Sequence, residues 1–162
     1  MAAESGERGT AAINNVGICV ADLGRSRRFY ENVLGFRYWW ELTVPDEDAS
    51  RLLQLPAPLG VHAVYLVHDG FVLELIQFAK PADRSDRPRA MNELGITHVS
   101  VAVADIPATL LEVASHGGEV LEASNMGGLA VMIKDPDGQL LELTTHRFRT
   151  MRPPWPGPEP AQ

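Results

Sequence analysis

Apolar and polar residues alternate along INNVGICVADL (13–23) and again along ITHVSVAVADI (96–106), at an offset of 83. A period of two is the pattern of a strand buried on one face. Each segment ends at an aspartate, Asp22 or Asp105, which predicts the N-cap of a following helix. The first helix is predicted over 23–34, with Leu23, Phe29, Tyr30 and Val33 on one side and Gly35 ending it. The second is predicted over 106–116, with Pro107 in its first turn and Gly117–Gly118 as its stop. Three short strand patterns follow each helix. They cover 36–43, 60–67 and 71–78 in the first half, and 119–124, 129–134 and 139–145 in the second.

The order is therefore βαβββ written twice, an α+β chain of two repeated modules. The first module is predicted over 13–79 and the second over 95–146. Between them KPADRSDRPRAMNEL (80–94) has the Pro, Asp and Arg content of a linker. Residues 1–12 are read as a flexible N-terminus and 147–162 as a proline-rich tail. The segment VPDEDASRLLQLPAPL (44–59) has no counterpart in the second half; it is long enough for a short helix and is placed to close over a cavity.

One feature breaks the strand pattern. Glu74 interrupts the apolar run of DGFVLELIQF (69–78), and Glu142 does the same in DGQLLELTTH (137–146). An unpaired carboxylate in a dry interior costs several kcal/mol, about 2–7 for a polar group and more for a charge. On the opening strand of each half the equivalent positions are Asn15 and His98. If the two sheets curl and pair by pseudo-twofold symmetry, Asn15, Glu74, His98 and Glu142 converge and offer three oxygens and one nitrogen to a divalent cation. Such a cation would neutralise both carboxylates.

A chain of 162 residues suits one domain, or two small halves sharing a core. The net charge of -7 argues against a nucleic-acid partner. The single cysteine, Cys19, excludes an internal disulfide framework and fits a reducing compartment. With no apolar run of membrane-spanning length and no signal-peptide pattern, a cytoplasmic location is expected.

VADLGRSRRFYENVLGF and KDPDGQLLEL resemble the first helix and the last hairpin of the vicinal oxygen chelate superfamily, which includes glyoxalase I, extradiol dioxygenases and bleomycin-resistance proteins. The resemblance covers about residues 13–145 and implies paired βαβββ modules forming a curled mixed sheet around a central cavity. It implies the same metal ligands, Asn15, Glu74, His98 and Glu142, around one divalent ion per chain, with Zn, Ni, Co, Mn and Fe all compatible. It also implies a homodimer, a small-molecule substrate, and Glu142 as the proton-transferring glutamate, with Glu74 as its symmetric partner. One position departs from the family: its first ligand is usually His or Gln, and here it is Asn15.

Other candidates have ordinary readings. His62, His68 and His116 fit strand ends, a hairpin end and a helix C-terminus, and His146 fits the cavity rim or the surface. Trp39, Trp40 and Tyr65 fit core packing or a pocket wall, and Cys19 fits a small core residue. Three functions compete. A metal-dependent lyase or isomerase polarises vicinal oxygens while a glutamate moves a proton. An iron dioxygenase normally uses two histidines and a carboxylate, and only His98 stands at a ligand position. A non-catalytic drug- or metabolite-binding protein would use the same scaffold without metal. The first reading is preferred and the third is the alternative.

Overall fold

The computed structural model describes residues 12–80 and 90–151. In the first module β1 (Val16–Cys19) leads to α1 (Leu23–Leu34), β2 (Arg37–Thr43), α2 (Asp46–Leu53), β3 (His62–His68) and β4 (Phe71–Gln77). The second runs β5 (Val99–Val103), α3 (Ile106–Ser115), β6 (Glu119–Val120), β7 (Ala130–Lys134) and β8 (Leu140–Thr145). Each module makes its own four-stranded mixed sheet, ordered β1-β4-β3-β2 and β5-β8-β7-β6. The first strand pairs parallel with the last, and the other pairs are antiparallel. The fold is thus the predicted α+β pair of βαβββ modules, with the sheets separate and open.

Local chemistry sets these elements. Asp22 accepts from the Arg25 amide at 2.8 Å and Asp105 from the Ala108 amide at 2.9 Å, so both predicted N-caps form. Gly35 ends α1 in the left-handed region at φ 73. Asp69 and Gly70 both have positive φ, the requirement of a two-residue hairpin turn, and they fix the pairing of His68 with Phe71.

A single hydrophobic core joins the modules. Leu73 and Leu75 of β4, Leu141 and Leu143 of β8, Phe29 and Tyr30 of α1, and Val113 of α3 all belong to it. Polar bonds lock the seam. The Tyr30 hydroxyl donates to Asp135 at 2.9 Å, the Ser26 hydroxyl donates to Asp137 at 2.9 Å, and Arg25 pairs with Asp137.

The boundaries differ in two places. The strand predicted over 119–124 stops at Val120 and becomes a 3-10 turn over Glu122–Ser124. There the Ser124 hydroxyl takes the Met132 amide at 2.8 Å, so a side chain replaces the strand partner. The predicted tail begins with a 3-10 helix, His146–Met151, and residues 152–162 lie outside the described residues. The predicted N-terminus (1–11) and most of the linker (81–89) also lie outside them. Among the described residues no helix is long and apolar enough to cross a membrane.

Candidate functional site

Strand alternation decides where the anomalous glutamates go. Leu73 and Leu75 point into the core, so Glu74 between them projects from the open face of the first sheet. Leu141 and Leu143 turn inward likewise and leave Glu142 on the open face of the second. Both carboxylates are partly exposed, which removes most of the burial penalty that their sequence context implies.

Each glutamate meets its predicted neighbour. The Asn15 side-chain amide donates to Glu74 Oε2 at 2.6 Å, and the Tyr65 hydroxyl donates to Oε1 at 2.7 Å. Desolvation first, then the bond to Glu74 and its charge, push the Tyr65 hydroxyl up to about 12, so it stays a donor at neutral pH. In the second sheet the Ser100 hydroxyl donates to Glu142 Oε2 at 2.7 Å, and His98 Nε2 lies 3.7 Å from the same oxygen. Thr97 Oγ1 lies 2.9 Å from His98 Nδ1, which occupies that nitrogen and leaves Nε2 toward the carboxylate. A ring held through one nitrogen and presenting the other is how a metal-binding histidine is oriented.

The structure therefore brings the four candidates together as two pairs, Asn15 with Glu74 and His98 with Glu142. Among the described residues no group of three or more His, Cys, Asp or Glu side chains is arranged to hold a metal. The shared core explains why: both sheets turn their Leu faces toward it, so their Glu faces look away.

A pocket of about 470 Å³ lies where the modules meet, lined by Val16, Phe36 and Phe71 on one side and by His98, Ser100 and Val101 on the other. That volume is in the range of small-molecule sites. His68 and His146 also line it, so His68 is more than a hairpin-end residue and His146 does border a cavity.

Two expectations about side chains are corrected. Trp39 and Trp40 are not core residues; they are 57% and 41% exposed. Among the described residues, the first-sheet edge strand they occupy pairs on one side only, with β3. Cys19 is exposed, because it shares the open face with Gly17 while Ile18 and Val20 take the core. Partial desolvation, then the Asp137 charge, raise its thiol above the ordinary 9.0, which disfavours the nucleophilic thiolate.

The 44–59 segment does form a helix, α2, with Ala49 packed against Leu59 and Val61 and with Leu52 and Leu53 outward. Asp46 Oδ1 accepts the Leu59 amide at 2.9 Å and the Gly60 amide at 2.8 Å, closing the segment on itself. The role of Tyr65 as a Glu74 partner was not read from the sequence. The signal was present, because a two-residue turn at Asp69–Gly70 forces position 65 opposite position 74.

Comparison with known proteins agrees with this architecture. The model of the family described as Glyoxalase/Bleomycin resistance protein/Dioxygenase superfamily matches residues 12–143. The uncharacterized protein YaeR of Escherichia coli K12 is 27% identical over 139 residues, which cover 83% of this chain and 96% of YaeR. A glyoxalase family protein from Bacillus cereus superposes with a TM-score of 0.72 at 24% identity, covering 86% of this chain and 97% of that one. The trypanothione-dependent glyoxalase I of Leishmania major gives a TM-score of 0.64 at 20% identity, covering 88% and 91%. At these identities the two structures show the common fold.

Proposed function

The chain belongs to the glyoxalase/bleomycin resistance protein/dioxygenase superfamily, and on that premise we propose that it is a cytoplasmic, metal-dependent lyase or isomerase working as a homodimer. The observation that carries this reading is the matched placement of Glu74 and Glu142. Each stands on an open sheet face, beside the polar residue that the repeat pairs with it. The donor set of Asn15, Glu74, His98 and Glu142 fits a divalent cation with water at its remaining positions. When bound, such a cation supplies Lewis acidity toward two adjacent oxygens of a small substrate.

The two pairs look away from one core, so a four-residue site takes its halves from two chains: Asn15 and Glu74 from one, His98 and Glu142 from its partner. A twofold dimer then holds two such sites. Within each, Glu142 is the base. It takes a proton from the hydroxyl-bearing carbon beside the substrate carbonyl; the C–H pair forms a carbon–carbon double bond as the carbonyl π pair moves onto its oxygen. The hydroxyl proton passes to that oxygen, and the carboxylic acid returns the carbon-bound proton to the neighbouring carbon as the new carbonyl forms. Glu142 suits this exchange because both of its partners, the Ser100 hydroxyl and His98, lie at Oε2, whereas both oxygens of Glu74 are hydrogen-bonded. The hydrogen bonds that Asn15 and Tyr65 make to the two oxygens of Glu74 also favour the second reading, a metal-free small-molecule binding or resistance protein on the same scaffold.

Mixed dimers test the proposal. Glu74→Ala and Glu142→Ala chains, each deficient in Mn2+ binding alone, are exchanged into heterodimers, in which one site is doubly mutated and the other intact. Random exchange then restores about a quarter of wild-type Mn2+. No recovery overturns the two-chain site. Binding of less than one Mn2+ per chain, unaffected by His98→Ala, overturns the metal reading.

A further inference from the structure

The first sheet carries an aromatic row that the metal ligands do not account for. Gly17, Glu74, Tyr65 and Trp40 stand side by side across β1, β4, β3 and β2, each in register with the next. The Trp40 ring stacks on Tyr65 at 4.7 Å and 12°. Trp39 stands edge-on to both, 6.1 Å from Trp40 and 6.5 Å from Tyr65. Two consecutive strand residues should point to opposite faces. Here the register slips between Tyr38 and Trp40, and the bulge turns both tryptophans to the open side. Tyr38 stays on the other face, where the Arg27 guanidinium of α1 covers its ring at 4.4 Å.

We infer that this row is the substrate subsite, and that it selects a planar aromatic group attached to the vicinal oxygens. The inference rests on the proposed function and deepens it by naming the substrate class. Continuity carries it: the Tyr65 hydroxyl that ends the aromatic row is the hydrogen-bond donor to Glu74 Oε1. A substrate whose oxygens lie at Glu74 has its remaining atoms beside Tyr65 on that face. A ring there adds one member to the Trp40–Tyr65 stack, with the Trp39 indole edge-on beside that stack, the offset and edge-on contacts that aromatic groups prefer. The sheet's opposite flank at this level is Gly17, which offers no side chain to grip. The patch is three rings wide with charged Arg37 and Glu41 on the same exposed strand, which suits a small ligand better than a protein partner.

The test compares 2-hydroxyacetophenone with hydroxyacetone, which present the same adjacent oxygens with and without a ring. Calorimetric titration of the full chain, with and without Mn2+, is expected to give about tenfold tighter binding of the aromatic ketone. Trp40→Leu is expected to abolish that preference while leaving Mn2+ stoichiometry unchanged. Equal binding of the two ketones by the wild-type protein overturns the inference. So does a Trp40→Leu chain that keeps the preference, or one that loses its dimer instead, which would make the row an interface. Absence of Mn2+ binding overturns only the metal reading, because the ring preference is still read from the metal-free titration.

Discussion

The Tyr30 hydroxyl, on the helix of the first module, donates at 2.9 Å to Asp135 Oδ2 in the last hairpin of the second. Both groups are buried, Tyr30 at 1% and Asp135 at 3% exposure, so the bond ties the repeats together at the centre of the molecule. Asp135 Oδ1 accepts the amides of Asp137 and Gln139 at 2.9 and 2.7 Å, which shapes the hairpin itself. Tyr30→Phe leaves Oδ2 without this donor. The expected cost is about 1–3 kcal/mol, measured by urea denaturation, with module contacts loosened and each sheet intact.

The same carboxyl predicts a pH dependence. Burial, the largest effect, raises Asp135 above the ordinary 3.8, and its hydrogen bonds only partly oppose this. The native state therefore holds this proton to higher pH than the unfolded chain does. Between the two pKa values the folded form binds more protons, so the contribution of Asp135 to stability falls as pH rises through that window. Asp135→Asn keeps an acceptor for both amides and does not titrate. Denaturation of both proteins across the acid range is expected to show wild type losing ground to Asp135→Asn as pH increases; parallel curves would contradict the raised pKa.

Gly118 marks another tight point of the seam. A Cβ there would meet Phe29 Cε2 at 2.7 Å, the Lys134 carbonyl oxygen at 2.8 Å and Val113 Cγ1 at 2.8 Å. One of these is backbone and two belong to the buried core, so none can swing aside. Gly118→Ala is expected to destabilise by about 1–3 kcal/mol, as overpacking does, with a lower thermal midpoint as the readout.

Glu142→Gln separates the chemistry from the metal. The amide keeps the shape and an oxygen donor but cannot take a proton. Metal content by mass spectrometry should stay near the wild-type value. Solvent deuterium exchange into the α-carbon of 2-hydroxyacetophenone should slow by about 10²–10⁴-fold. Unchanged exchange would move the base to Glu74.

The α2 segment is expected to act as a wall or lid, since Leu52, Leu53 and Leu55 present an exposed apolar side. Asp46→Ala removes the clasp on the Leu59 and Gly60 amides. Limited proteolysis should then cut within 44–59 faster than in wild type, and bound 2-hydroxyacetophenone should slow the cutting. Cutting that the ketone leaves unaffected would argue for a segment remote from the site.

What the sequence determined by itself is local. The Asp22 and Asp105 caps, the Gly35 stop and the Asp69–Gly70 turn act within a few residues, so helices and hairpins could be placed from them. The βαβββ order followed from the repeat, and the strand period put Glu74 and Glu142 on faces opposite their leucines. Tertiary packing decided the rest. Whether two repeated faces meet or turn apart depends on which sides share a core, and the Leu73–Leu75 and Leu141–Leu143 sides both enter one cluster. That arrangement sends the two glutamates outward as separate pairs. The two-tryptophan side of β2 was likewise hidden, because a bulge is a register slip between strands and leaves no period in the single chain.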